Sequence, residues 1–252
     1  MQNLTDFIEF QKGTIPLIIS VPHGGVLECA NIPKRSQGIL GIDGNTIEIA
    51  KILVQGLKMK FITQNIVEKI PSYVISNVRR SKIDMNRVEK EAFVQSSSIA
   101  EQFYKTYHGK IKEYILDNLH HYSRSLLIDI HGFESYNRPR GYRDVDIILG
   151  TNNLESLFVD CVPKKEWGNN IRGKIIQNSL DLGISIAPGH PNRKEYALTG
   201  GFITKKYGAS QIPTSQAMQI EFSERVRVQN PELREKVLDI LINVLFEEML
   251  GS

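Results

Sequence analysis

Short runs of apolar and β-branched residues recur along the chain and restrict its fold more than any other feature: "TIPLIISV", "FITQNIV", "SYVISNV", "SLLIDI", "DVDIILG", "GISIA" and "AMQIEF". Each is about strand length and mostly continuous rather than alternating. That pattern suits strands buried on both faces of a parallel or mixed sheet covered by helices. Helical patterns lie between the runs. Asn45 to Lys60 places Ile49, Ile52, Leu53 and Leu57 on one stripe. Ile99 to Leu119 carries Ile99, Phe103, Tyr107, Ile111, Tyr114, Ile115 and Leu119 at helical spacing. A last helix begins with Asn230 as its cap and Pro231 in its first turn. The alternation predicts one α/β domain over 1–252, with a mixed, mostly parallel central sheet and helices on both faces. Residues 152–193 are less regular and are expected to insert over the sheet edge.

The chain has 252 residues, of which 41% are hydrophobic, enough for a sizeable core in one large domain. A net charge of +3 with no basic block beyond "VRRSK" and "VPKK" implies no nucleic-acid partner. Cys29 and Cys161 form no CxxC pattern, which excludes a cysteine-based zinc site. No apolar run approaches the roughly 18 residues of a membrane span. "MQNLTDFIEFQKG" carries charge where a signal peptide needs an apolar core. The expectation is a soluble, cytoplasmic protein with no membrane partner; the sequence leaves its oligomeric state open.

In open α/β sheets, ligands bind outside the carboxyl ends of the strands. The residues following the apolar runs therefore carry the functional signal. "IISV" is followed by Pro22-His23-Gly24-Gly25, "YVISNV" by Arg79-Arg80 and "DMNR", and "LLIDI" by His131-Gly132; Glu221 sits within "MQIEF". Two histidines at two strand ends can converge on one ion. Zinc accepts imidazole and carboxylate and keeps a position open for water in catalytic sites. The third ligand is then acidic. Asp43 leads, at the start of a helix after a glycine-containing loop, although Asp there can equally serve as a helix cap. Glu28 and Glu48 are alternatives. Asp129 shares a strand face with His131 but sits deeper, as a group behind the metal rather than a ligand. His108, His120 and His121 read as surface or half-buried helix residues, and His190 as a loop residue able to line a pocket.

Taken in order, "SVPHGG", a downstream Asp before a helix, "IDMNR", "IDIHGF", "DVDIILGT", "LTGGFITKKYG" and "QIEF" resemble the N-formylglutamate amidohydrolase family. The family is related in fold to the zinc carboxypeptidases. The resemblance runs from about Ile15 to Arg225. It implies that His23, His131 and Asp43 bind one zinc ion, and that Asn86 and Arg87 grip a substrate carboxylate. It also implies that Glu221 is the general base. The compact zinc motif of the carboxypeptidases is absent, since Val26 stands where its acidic ligand would be.

These residue types suit amide hydrolysis. Zinc acidifies its bound water and polarises the carbonyl. Glu221 can take the water proton and pass it to the leaving nitrogen. Arg80, or its neighbour Arg79, can stabilise the oxyanion. Arg87 can bind a carboxylate through two parallel hydrogen bonds. Thr199, Gly200 and Gly201 would let backbone amides approach a ligand closely. The expected substrate is a small N-acyl amino acid, N-formyl among them, or a short acidic amide. A zinc peptidase acting on γ-glutamyl or cell-wall-type amides is an alternative, as is a binding protein that keeps the fold without catalysis.

Overall fold

In chain order the elements of a computed structural model, which describes residues 4–134 and 144–250, are as follows. The first half comprises α1 (Leu4–Phe7), β1 (Ile8–Gln11), β2 (Leu17–Val21), α2 (Thr46–Thr63), β3 (Ser72–Ser76), α3 (Glu89–Ala92) and α4 (Ser98–Tyr122). The second comprises β4 (Ser125–Phe133), β5 (Ile147–Gly150), α5 (Ile171–Asp181), β6 (Ile186–Ala187), α6 (Phe202–Tyr207), β7 (Ser215–Ser223) and α7 (Pro231–Leu250). They form one seven-stranded sheet in the order β1-β3-β2-β4-β7-β5-β6. β3, β2, β4 and β7 are parallel. β1 pairs antiparallel with β3 at one edge. At the other side β5 runs antiparallel to β7, and β6 runs parallel to β5. The expected α/β fold with a mixed, mostly parallel sheet is borne out.

The order explains where a ligand can enter. From β2 the chain crosses through α2 to β3 on one side, then through α4 to β4 on the other side of β2. This reversal opens a crevice at the carboxyl ends of β2 and β4. The two faces of the sheet differ there. Leu17, Ile19, Val21, Ile128, Ile130, Met218, Ile220 and Phe222 pack in one core with residues of α2, α5 and α7. Ile18, Leu127 and Ala217 belong to a second core with residues of α4 and α6. On that second face the next residues toward the carboxyl ends are polar. Ser20, Asp129 and Gln219 lie in one register row, followed by His131 beside Glu221. Runs that look continuously apolar in sequence thus become polar on one face as they approach the crevice.

Helix positions follow from the apolar stripes. α2 buries Ile49, Leu53, Leu57 and Phe61 at helical spacing. Ile52, expected on that stripe, is 38% exposed because it is rotated off the core face. "FITQNIV", expected as a strand, is instead the end of α2 and the turn after it. Phe61 continues the Leu53–Leu57 stripe, and this packing outweighs the β-propensity of the run. α4 buries Phe103, Tyr107, Ile111, Tyr114 and Ile115 as expected, with Leu119 packed at the edge of the core, but Ile99 in its first turn is exposed. Asn230 Oδ1 accepts from the Leu233 N–H at 3.0 Å and caps α7, whose first residue is Pro231. Within 152–193, α5 contributes Ile171, Ile175 and Ile176 to the first core, and β6 joins the sheet edge.

The face assignment of α2 has a direct check. Leu53→Ala should cost about 2–5 kcal/mol of unfolding free energy through lost burial and a cavity. Ile52→Ala should change stability by only about 0.5 kcal/mol. Urea denaturation of both variants measures the contrast, and equal losses would contradict the orientation of the helix.

Candidate metal centre

His23 leaves the end of β2 just before the turn to α2, and His131 projects from β4. Their rings meet edge to face with centroids 4.9 Å apart. Asp43 reaches back from the start of the α2 segment, where its N–H donates to the His23 carbonyl at 3.0 Å. Asp43 Oδ2 stands 3.5 Å from His23 Nδ1 and 3.2 Å from His131 Nδ1. The ligand atoms of the three residues lie within 4.8 Å of one another, and all three side chains are buried.

The remaining imidazole nitrogens have carboxylates behind them. His23 Nε2–H donates to Asp84 Oδ1 at 2.6 Å, and His131 Nε2–H to Asp129 Oδ2 at 2.8 Å. Asp129 in turn accepts from the Ser20 hydroxyl at 2.5 Å. Carboxylates in these positions fix the tautomer and present both Nδ1 atoms toward Asp43. His23 Nδ1 is buried without a hydrogen-bond partner. An orphaned nitrogen in a buried N,N,O set fits a divalent cation of zinc type, with His23, Asp43 and His131 as the holding residues.

Asp84, in "IDMNR", is fully buried and was missed as a functional residue. Besides His23 it faces Arg80 Nε at 3.2 Å, Arg87 Nε at 3.4 Å and Arg35 Nη1 at 3.5 Å, and accepts from the Asn86 N–H at 3.1 Å. Burial pushes its carboxyl up, but His23 and the guanidiniums of Arg80 and Arg35 outweigh this and hold it well below the usual carboxylate range. Asp43 follows the same pattern: burial raises it, and the two histidines lower it further. For His131, burial lowers the imidazole, yet Asp129, Asp43 and Glu221 together raise it well above its ordinary value. The sequence signal for Asp84 was its place within a motif whose last two residues alone had been given roles.

The three residues floor a cavity of about 700 Å³ whose walls include Arg80, Asn86, Arg87, Gly200, Gly201 and Glu221. Glu221 stands beside His131 in register on the adjacent strand. Its Oε1 accepts from Gln219 Nε2–H at 2.7 Å. Burial raises the Glu221 carboxyl, with His131 opposing. Gln219, also missed from sequence, joins two parts of the wall, because its Oε1 accepts from the Gly201 N–H at 2.5 Å. Gly200 has φ +98°, and a Cβ on Gly201 would lie 2.3 Å from Asn86 Nδ2, so neither position accepts a side chain readily. Asn86 is committed within the protein. Its Oδ1 accepts from Ile203 N–H at 2.8 Å, and its amide nitrogen is 3.2 Å from His131 Nε2.

Other expected residues fall outside the cavity wall. Arg79 pairs with Glu28 at 2.6 Å, which separates both from the centre, and Arg80 is the neighbour that faces inward. Glu48 is exposed and lies 3.6 Å from Arg234. Thr199 accepts the Asn152 N–H through its carbonyl and is not part of the wall. His190 is exposed, and its Nδ1 accepts from the Asn192 N–H. His108, expected near the surface, is buried between Tyr207 and the Met85 carbonyl, and burial lowers its pKa to about 3. His120 and His121 lie in the last turn of α4, and both are exposed.

Among solved structures, the chain superposes on the N-formylglutamate amidohydrolase of Ralstonia eutropha JMP134 with a TM-score of 0.68. The match covers 97% of this chain and 98% of that one at 11% identity. The fold matches that of an N-formylglutamate amidohydrolase. A gene product of Agrobacterium tumefaciens matches with a TM-score of 0.58, covering 98% of this chain and 95% of that one at 12% identity. No protein-family model and no curated protein matches the sequence. No helix among the described residues is long and apolar enough to cross a membrane.

Purified protein should bind one zinc equivalent, and His23→Ala or Asp43→Ala should abolish binding in a chelator-competition titration. Asp84→Asn should weaken zinc about 10–100-fold by releasing the His23 ring. Because the His131 pKa is raised, zinc must displace a proton there. Affinity should therefore rise with pH until that raised pKa is passed. Calorimetry in buffers of different ionisation enthalpy would detect the proton, and a pH-independent affinity would contradict the ligand assignment.

Proposed function

We propose that the protein is a metal-dependent amidohydrolase cleaving the amide bond of an N-acyl amino acid or a short acidic amide. The observation that carries this reading is the convergence of His23, Asp43 and His131 on the floor of one cavity that also presents Glu221, Arg80 and Arg87. The likeness in fold to an N-formylglutamate amidohydrolase supports it. The nitrogen and oxygen donors favour zinc, though other divalent metals accept the same set.

A divalent cation held by His23, Asp43 and His131 supplies the charge that acidifies water and polarises the amide carbonyl. The residues of the chain do the rest. Glu221 is the proton carrier. Gln219 tethers one carboxylate oxygen, and the burial of Glu221 favours proton uptake. It accepts a proton from water and returns it to the leaving nitrogen. Arg80 is held between Asp84 and Asp43, with Nη1 3.5 Å from Asp43 Oδ1, and offers donors to the oxygen on which charge develops. Arg87 is partly exposed at the wall, and its planar fork suits a substrate carboxylate. Asn86 holds Arg87's segment against His131 and α6 rather than binding substrate directly.

A cavity of about 700 Å³ has room for more than a formyl amino acid. A second recess of about 350 Å³ shares Arg87 and Glu91 with it and adds Lys90, while the Arg35 guanidinium at its wall is committed to Asp84 and to main-chain carbonyls. This basic extension favours an acidic amide longer than one residue as the second reading, including γ-glutamyl substrates. A screen of N-formyl, N-acetyl and γ-glutamyl amino acids with zinc-loaded and metal-free protein separates the two. Turnover of none of them by the zinc form would defeat the proposal.

Glu221→Gln should lower kcat about 10²–10⁴-fold with little change in zinc binding. Since the Glu221 carboxyl is raised, its basic form is present above the folded pKa and lost as pH falls through it. The acid limb of kcat/KM in the parent enzyme should lie above the usual carboxylate range. Arg87→Ala should raise KM about 10–100-fold for substrates carrying the carboxylate, matching the loss of a charge-assisted pair. Neutral analogues should respond far less, and equal responses would remove the carboxylate role.

A further inference from the structure

Arg227 is among the largest fully buried side chains of the protein, 1% exposed, in the π-helical turn Arg225–Gln229 directly after β7. Burying a guanidinium is costly unless its donors are satisfied. Here they go chiefly to main-chain carbonyls. Nε–H donates to the Phe222 carbonyl at 3.1 Å, Nη1–H to the Gly44 carbonyl, and Nη2–H to the Phe133 carbonyl at 3.2 Å; Nη2–H also meets Glu134 Oε1 at 2.7 Å. Gly44 follows Asp43, Phe133 lies two residues after His131, and Phe222 follows Glu221.

We infer that Arg227 is the positioning residue of the metal centre, a single buried guanidinium that fastens together the three chain segments bearing Asp43, His131 and Glu221. The inference rests on the metal-site reading above. These segments come from one loop and two strand ends. The ladder already sets His131 against Glu221, and nothing in it sets the Asp43 loop. Besides the Asp43–His131 contact itself, two links draw the loop to β4. One is the Gly132 N–H, which donates to Asp43 Oδ2 at 3.2 Å; the other is Arg227, which reaches the carbonyl next to Asp43. The packing is close enough to dictate a neighbour. A Cβ on Gly132 would lie 2.4 Å from Arg227 Nε, so the glycine of "IHGF" makes room for the clamp.

A second buried arginine provides the control. Arg172 is 0% exposed and equally committed, to Glu195 and to the carbonyls of Pro191 and Arg193, all away from the metal ligands. Zinc affinity of the full chain would be measured by competition with a chromogenic chelator, alongside thermal unfolding of the metal-free protein. Arg227→Met should lose about 10–100-fold in zinc affinity, with Arg227→Lys intermediate. Arg172→Met should lower the melting temperature while keeping parental zinc affinity. Parental affinity in Arg227→Met, or an equal loss in Arg172→Met, would overturn the inference. If Arg227→Met does not fold, Arg227→Lys and Gly132→Ala decide it: parental affinity in both would overturn it, and weakened binding in either supports it. Failure of the parent protein to bind zinc would instead reject the metal-site reading itself.

Discussion

One carboxylate oxygen, Asp43 Oδ2, lies between two imidazole nitrogens at the mouth of the sheet, and the rest of the site is built around keeping that arrangement buried. Five ionisable groups taken out of water would be prohibitive if any were left alone. Each is therefore answered. Asp84 stands behind His23, Asp129 behind His131, and Arg80 between Asp84 and Asp43. The atom left without a partner is His23 Nδ1, and it points into the same small space. An imidazole nitrogen left open between two backed histidines and a carboxylate suits a buried cation site, because there an ion would supply the missing charge.

The sheet makes this possible by treating its faces differently. Toward α2, α5 and α7 the strands present Leu17, Ile19, Val21, Ile128, Ile130, Met218, Ile220 and Phe222, and that apolar core holds them in place. Toward α4 and α6 the apolar residues stop one row earlier, and Ser20, Asp129, Gln219, His131 and Glu221 take over. The apolar face positions the polar face. Polar side chains on strands, rather than on loops, hold their geometry because their backbones are fixed on both sides by the ladder. The glycine wall and the buried guanidinium extend the same rigidity to the segments that the ladder does not reach.

Much of the site was legible because strand-end chemistry is local. A histidine after "IISV" or "LLIDI" has no reason to be there in a plain sheet, and both histidines do meet. Asp43 was harder, since a residue before a helix has a capping explanation; only the fold shows its oxygen turned to the imidazoles. The choice between Arg79 and Arg80 was open because adjacent side chains diverge, and the pairing of Arg79 with Glu28 resolves it. Asp84 and Gln219 escaped notice because their partners are distant in sequence: 61 residues separate Asp84 from His23, and 18 separate Gln219 from Gly201. "FITQNIV" misled because its composition suits a strand while its position continues a helical stripe.

Sequence by itself determined the class of fold, the apolar strands and the residue types able to bind a cation and move a proton. Those properties are encoded in short windows, where periodicity and side-chain chemistry act directly. Tertiary structure alone decided which acid meets the histidines, which arginine faces the cavity and which buried carboxylates stand behind the two imidazoles. Those outcomes depend on strand order and on the direction of side chains at crossovers, and both are set by the packing of segments that lie far apart in the chain.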